Sequence, residues 1–345
     1  MSRLVIWGAG AMGGTIGASL VRAGHPVTFV DRDRDHVQAL NRNGLRITGP
    51  VDSFTVSVRA EAPEAVKDPI QLAFLCVKSH HTQEALDQLA PRLDGNGVIV
   101  SVQNGLCEHW IAERVGPERT VGAFVNYGAD VLEPGVIHRG NRGATVVGEL
   151  DGARTDRIVD IHRLFKVFEA DAVLTDNIFG YLWGKLAYAS LLFATASTPD
   201  SIAEVLGDPG LRSVLIPLAR EAVAVAHAHG VRPEAFDGFD PGAFASGAPF
   251  SRAEASLDDL VRFNRASAKT HSGVWRDLAV RRRKTEVDAQ LSWIVEVGAR
   301  HHVSTPLTRA LVDQIHEIED GAREMKRSNV VELASALPLP PVREP

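Results

Sequence analysis

The chain has 345 residues, 45% of them hydrophobic and 23% charged, with a formal net charge of -6. That length exceeds one ordinary core and predicts two domains, and the acidic balance excludes nucleic acid as a principal partner. No apolar run reaches the ~18 residues that a membrane span needs; the longest is Leu186 to Ala196. An apolar start cut by glycines lacks the build of a secretory signal, so the expectation is a cytoplasmic protein with no membrane partner.

Leu4 to Trp7 is continuously apolar, the pattern of a buried parallel strand. It breaks into Gly8-Ala9-Gly10-Ala11-Met12-Gly13, the spacing of a dinucleotide-binding turn. Gly8 would turn the chain, Gly10 would let the backbone approach a diphosphate, and Gly13 would let a helix from Ala11 to Arg22 pack on the sheet. The diphosphate then lies at the positive end of that helix, beside Ala11 and Met12. A second strand, Val27 to Val30, ends at Asp31, about 20 residues on, where a carboxylate can accept hydrogen bonds from an adenosine ribose. Arg32 can stack on adenine or hold a 2′-phosphate, but Asp31 would repel that phosphate. The pair favours NAD over NADP.

Beyond it, Arg32 to His36 reads as the solvated start of a helix whose apolar face is marked by Val37 and Leu40. Gly44 to Val58 reads as a hairpin-like insertion around Gly49-Pro50. A strand from Ile70 to Val77 ends at Lys78, which is either at the ligand edge of the sheet or a snorkelling surface lysine. A helix from Gln83 to Leu93 leads to a strand from Gly97 to Val102. That strand empties into Gln103-Asn104-Gly105, which is either a plain turn or a place for the Asn104 amide to face nicotinamide or a substrate oxygen. Strands at Arg119 to Asn126, Gly135 to Arg139 and Ala144 to Gly148 are expected to extend the sheet antiparallel. A helix from about Arg154 to Glu169 and a strand from Ala172 to Leu174 complete a first domain, residues 1–176.

From Asn177 the apolar period becomes 3.6. Helices are expected at Ile178 to Ala196, Ser201 to Leu206, Gly210 to His229, Ala253 to Arg265, Lys284 to His301 and Pro306 to Ile318, in a domain of residues 177–330. Pro233 to Pro249 reads as a loop able to cover a cleft. Residues 331–345 read as a Pro-rich tail, loose from Leu337.

Several residues invite chemistry. Lys185 lies in apolar surroundings near the start of a long helix, pointing to water or placed where burial would suit it to donate a proton. Glu286 precedes another helix, with Thr285 and Asp288 spaced as a capping box. Ser272 to Asp277 has the polar variety of a site lining or of a capped turn; within it Arg276 could clamp a carboxylate or pair with Asp277. Arg281 to Lys284 reads as a solvated helix face. Cys76 reads as a small core residue, with no metal or catalytic spacing to Cys107. The adjacent pairs His80-His81 and His301-His302 send successive side chains apart, and no metal is expected.

Together, Gly8 to Gly13, Val77-Lys78, Gln103-Asn104-Gly105-Leu106, Trp183-Gly184-Lys185-Leu186-Ala187 and Thr285-Glu286-Val287-Asp288 resemble the ketopantoate reductase family, including related D-2-hydroxyacid dehydrogenases, over residues 3–325. The resemblance implies an α/β Rossmann dinucleotide-binding domain followed by an all-α domain like that of 6-phosphogluconate dehydrogenase. It implies an NAD(P)-dependent oxidoreductase acting on a small 2-oxo acid or related ketone. Lys185 corresponds to the catalytic lysine and Glu286 to the acid that positions it. Asn104 would lie beside nicotinamide, and Lys78 would touch the cofactor. Ala189 and Phe193 stand where ketopantoate reductases carry substrate-holding asparagines, which implies a more apolar substrate. Ser272 is the candidate for the family's carboxylate-binding serine. An imine-reducing enzyme and a non-catalytic dinucleotide sensor are the alternatives. The apolar stripes of the helical domain point to a homodimer.

Overall fold

The computed structural model describes residues 4–266 and 270–337. The strands are β1 (Leu4–Trp7), β2 (Val27–Val30), β3 (Leu45–Thr48), β4 (Phe54–Val56), β5 (Arg59–Glu61), β6 (Ile70–Leu75), β7 (Leu93–Ser101), β8 (Thr120–Val125), β9 (Ala129–Glu133), β10 (Val136–Arg139), β11 (Thr145–Glu149) and β12 (Val173–Leu174). Successive side chains of a strand point to opposite faces, and in β1 both directions are buried. Leu4 and Ile6 join a core with Phe29, Phe74 and Phe165. Val5 and Trp7 join a second core with Leu75, Leu86 and Ile111.

The main sheet has the order β12-β11-β8-β7-β6-β1-β2-β5. Its six strands from β8 to β5 are parallel, β11 runs antiparallel to β8, and β12 runs parallel to β11. The helices of this part are α1 (Ala11–Arg22), α2 (Arg34–Asn43), α3 (Thr82–Leu89), α4 (Cys107–Val115) and α5 (Asp156–Phe168). The chain winds outward from β1 toward β5 and then outward from β6 toward β8. The strand order therefore reverses between β1 and β6, where ligands of such sheets bind.

Two of the three strands expected to extend this sheet antiparallel depart from that: the one at Arg119 to Asn126 is β8, which joins β7 in parallel, and the one at Gly135 to Arg139 does not join this sheet at all. It is β10, part of a second sheet of order β4-β3-β10-β9, parallel to β3 and antiparallel to β9. The insertion at Gly44 to Val58 does form a hairpin, β3 with β4, and it belongs to the same second sheet. Burial alternates along β10 because one face has an apolar neighbour. A Cβ added to Gly14 of α1 would fall 2.3 Å from Ile137 Cδ1, so β10 lies directly against that helix. Strand β9 left no apolar signal, since Val131 and Leu132 are exposed.

The helical part comprises α6 (Ile178–Ala196), α7 (Ile202–Gly207), α8 (Arg212–Ala228), α9 (Phe250–Ala266), α10 (Gly273–Ala279), α11 (Trp293–Arg300), α12 (Pro306–Glu319) and α13 (Ser328–Glu332). Backbone contacts divide the chain into two compact units, residues 1–182 and 183–345, with the division inside α6. No helix among the described residues is long and apolar enough to cross a membrane.

Three details of the helical part depart from expectation. The helix anticipated at Lys284 begins instead with a π-turn at Asp288–Ser292, and Arg281 to Glu286 is not helical. Arg281 and Arg283 both turn back onto buried Asp277, so this basic stretch is ion-paired. The tail expected from 331 begins later, because Ser328–Glu332 and Leu333–Ala336 are helical and Val330 and Leu333 are buried. The rest of that tail, after Leu337, lies outside the described residues.

A Cβ on Gly13 would meet the Gly8 carbonyl oxygen at 2.2 Å and Ile6 Cγ2 at 2.8 Å. Backbone cannot yield there as a side chain could. Gly13→Ala should therefore destabilise the fold by about 1–3 kcal/mol, the usual cost of overpacking, and abolish any binding of a dinucleotide at this turn by lifting α1 from the sheet. Urea unfolding together with titration calorimetry of NADH and NADPH checks both effects.

Candidate active site

The turn after β1 has the space that a diphosphate needs. Gly8 has φ +103°, and a Cβ there would meet Val77 N at 2.7 Å; a Cβ on Gly10 would meet nothing within 4 Å. One glycine is required by close packing against the end of β6, and the other opens the surface in front of the turn. Gly10 is the N-cap of α1 and offers no side-chain cap, so the first backbone N–H groups of α1, from Ala11 to Gly13, lack intrahelical acceptors. These residues fit a dinucleotide diphosphate.

Asp31, at the end of β2, is held in place by the backbone. Its Oδ2 accepts from Ala9 N–H at 2.8 Å and its Oδ1 from Asp33 N–H at 3.0 Å. The next helix start is less solvated than its charges suggested, because His36 is buried. Gly135 N–H donates to His36 Nδ1 at 3.1 Å, so the ring proton is on Nε2 and is donated to the Ala9 carbonyl at 3.0 Å. One imidazole thus ties the glycine turn to the second sheet. Arg32 is exposed and reaches His81 Nε2 at 2.9 Å and Glu84 Oε2 at 3.3 Å.

Lys78 follows β6 and is partly exposed. Asn104 follows β7, also partly exposed, with Gly105 next at φ +87°. The two strand ends are joined by buried Gln103, whose Nε2 donates to the Val77 carbonyl and to Thr82 Oγ1, both at 2.9 Å. This brace was not anticipated; its signal was only the polar residue preceding Asn104. Cys76 lies against α1, where a Cβ on Gly13 would come within 2.8 Å of it. Burial pushes its thiol far up, which suits a core residue and not a nucleophile.

Within the helical unit, Lys185 is partly exposed on a helix whose neighbouring residues are almost all buried. At about 100° per residue, Tyr188, Ala189 and Leu192 share its face. Leu192 is also partly exposed, while Tyr188 and Ala189 are each 5% exposed. Phe193, expected to line a substrate, is fully enclosed, and Leu192 holds the open position instead. A Cβ on Gly184 would fall 2.5 Å from the Glu234 carbonyl oxygen, so the chain after α8 packs directly on α6 beside Lys185.

Glu286 is buried, and the turn that carries it is fixed from α12. Glu319 Oε1 accepts from both the backbone N–H and the hydroxyl of Thr285, each at 2.7 Å. Lys284 Nζ lies 3.5 Å from the other Glu319 oxygen. The expected Thr285–Asp288 capping box is therefore absent: Thr285 Oγ1 accepts from Val287 N–H, while Asp288 engages Ser292 and His316. Ser272 caps α10, accepting from Trp275 N–H at 3.1 Å. Arg276 Nη2 donates to the His271 carbonyl at 3.4 Å, and burial, with Arg281 nearby, pulls its guanidinium below the ordinary value. Asp277 pairs with Arg281 and Arg283.

Two family models match this chain. Ketopantoate reductase PanE/ApbA covers residues 4–152, and ketopantoate reductase PanE/ApbA C terminal covers residues 177–319. The chain belongs to the ketopantoate reductase family. It is 27% identical over 341 residues to the 2-dehydropantoate 2-reductase of Mesorhizobium japonicum, with 92% of this chain and 97% of that one covered. It is 28% identical over 321 residues to the enzyme of the same name from Halobacterium salinarum, with 91% and 97% covered. A ketopantoate reductase structure from Ralstonia eutropha superposes with a TM-score of 0.76 at 27% identity, covering 92% of this chain and 99% of that one. The fold is shared also with D-mandelate dehydrogenase, solved with NADH and anilino(oxo)acetate, at a TM-score of 0.79 and 19% identity, with 92% and 99% covered.

A ketopantoate reductase-type oxidoreductase uses a nicotinamide dinucleotide and acts at a CH–OH/C=O group. The glycine turn and Asp31 of this family member fit that cofactor as described above. What the sequence did not disclose is the support behind Glu286, because Glu319 is 34 residues away from Thr285. Glu319→Ala would leave two donors of Thr285 without their acceptor, and an unsatisfied buried donor costs about 1–3 kcal/mol. The variant should unfold at lower urea, and Glu319→Gln, which keeps an acceptor oxygen, should recover most of the loss.

Proposed function

We propose that this chain reduces a 2-oxo acid bearing a bulky apolar group, with NADH as reductant and Lys185 as proton donor. The observation that carries the reading is the face of α6, where Lys185 is flanked by Ala189 and Leu192. No amide stands at position 189 or 193 to hold a polar substrate tail, so the wall beside the lysine is apolar. The bound dinucleotide supplies hydride to the carbonyl carbon. Lys185 donates a hydrogen bond to the carbonyl oxygen and passes its proton there as negative charge develops. Glu286, on its anchored turn, orients the ammonium group, and Asn104 holds an amide partner for nicotinamide or substrate. Ser272 and Arg276 serve the substrate carboxylate in this reading, although the Ser272 hydroxyl already accepts from Trp275 N–H.

NADH is favoured over NADPH by Asp31. With both carboxylate oxygens held by backbone N–H groups, the charge cannot swing away from a 2′-phosphate, and Arg32 is already engaged by Glu84. Like charges in such proximity cost several kcal/mol. Asp31→Ser should shift the ratio of kcat/KM for NADPH over NADH upward by about tenfold or more. It should also weaken NADH binding, because Ala9 N–H loses its acceptor. An unchanged ratio in steady-state kinetics would assign discrimination to another group.

Lys185→Ala should lower kcat for the best 2-oxo acid by about 10²–10⁴, the usual worth of a positioned general acid, with NADH affinity within about threefold of the parent. Turnover close to that of the parent would remove Lys185 from the chemistry.

A further inference from the structure

Tyr188 lies one turn beyond Lys185 on the same face of α6, and its hydroxyl is in an unusual position. Asn264 of α9 donates from Nδ2 to the Leu260 carbonyl at 2.8 Å, which fixes the orientation of the amide. The same NH₂ group donates to Tyr188 Oη at 3.3 Å. The phenol oxygen is therefore the acceptor in that contact, and its own proton is left to donate elsewhere. Among the described residues that O–H makes no hydrogen bond to an acceptor, the carboxylate that acts on the phenol from nearby being that of Asp237, and Tyr188 is only 5% exposed. A buried donor without a partner is costly, so its retention calls for an acceptor that arrives from outside the chain. The ring is fixed by Phe236 and Phe239, with centroids 6.0 Å and 5.6 Å away, so the hydroxyl is preorganised. Burial pushes the phenol up to about 12, so it remains a donor throughout the neutral range.

We infer that the Tyr188 hydroxyl is a specificity-determining group, donating a hydrogen bond to the carboxylate of a 2-oxo acid whose keto oxygen is held by Lys185. This rests on the proposed function above and deepens it. The carboxylate is the appropriate acceptor because the lysine is committed to the keto oxygen, and a charged acceptor gives the stronger bond. Polar recognition on this face would then come from the phenol in place of the asparagine side chains, with Asn264 setting its direction.

The test compares the parent, Tyr188→Phe and Lys185→Ala on a panel of alkyl and aryl 2-oxo acids, phenylglyoxylate among them, and on matched methyl ketones such as acetophenone. Thermal unfolding and NADH affinity are followed in parallel. Tyr188→Phe should lose about 10- to 100-fold in kcat/KM for the best 2-oxo acid, the range of a hydrogen bond to a charged group. It should change the matched ketone by less than about threefold and leave NADH affinity unaltered. A kcat/KM for 2-oxo acids that stays within about threefold of the parent, or an equal loss for acid and ketone, overturns the inference while the proposed function stands. Parent-like turnover by Lys185→Ala, or a parent that reduces no 2-oxo acid, overturns the proposed function and this inference with it.

Discussion

The dinucleotide-binding unit depends on two missing side chains. At Gly8 and Gly13 a Cβ would press into backbone, at Val77 N and at the Gly8 carbonyl respectively. Their absence lets β1, the turn and α1 close against the end of β6, at the point where strand order reverses. Other contacts then converge on the same turn. Asp31 and His36 hold the N–H and the carbonyl of Ala9, and Tyr127 donates from its hydroxyl to the Met12 carbonyl at 2.8 Å. Ile137 fills the space left at Gly14. The second sheet is thus a buttress for the helix whose first N–H groups are placed to meet a diphosphate. A fixed cradle loses little conformational freedom on binding.

A different constraint governs the helical unit, where polar groups are placed inside an apolar core. Helix α6 has 19 residues, and most are buried. A lysine in such a helix is tolerated only where its face stays partly open, and Lys185 and Leu192 mark that opening. Glu286 is a buried carboxylate on an irregular turn, and irregular backbone needs partners supplied from elsewhere. Those partners come from α12, through Glu319 on Thr285 and Asp320 on Lys284. The π-turn at Asp288–Ser292 follows directly on this braced segment.

How much of this could be read from the sequence follows from the range of each interaction. Strand β1, helix α1 and strand β2 were legible because continuous apolar runs and glycine spacing are local signals, and α6 was legible for the same reason. The placement of β10 was not, since its partner β3 is remote in sequence and β9 is exposed. His36 looked solvated because its neighbours are charged, yet it lies under the glycine turn. The bond from Asn264 to Tyr188 spans 76 residues. No periodicity encodes that pairing, although the position of Tyr188 three residues after Lys185 is visible in the chain.

The absence of an amide at Ala189 and Phe193, with Leu192 at the open position of the lysine face, has an asymmetric effect on selectivity. An apolar wall distinguishes substrates weakly, because one methylene more or less changes transition-state binding by only about 1–3 kcal/mol. A buried donor discriminates more sharply, since a substrate lacking the acceptor leaves it unsatisfied. With apolar residues on the stripe and one preorganised phenol among them, tolerance falls on the hydrocarbon group of the substrate and strictness on its carboxylate. A reductase built this way would accept a range of 2-oxo acids while rejecting simple ketones of the same size.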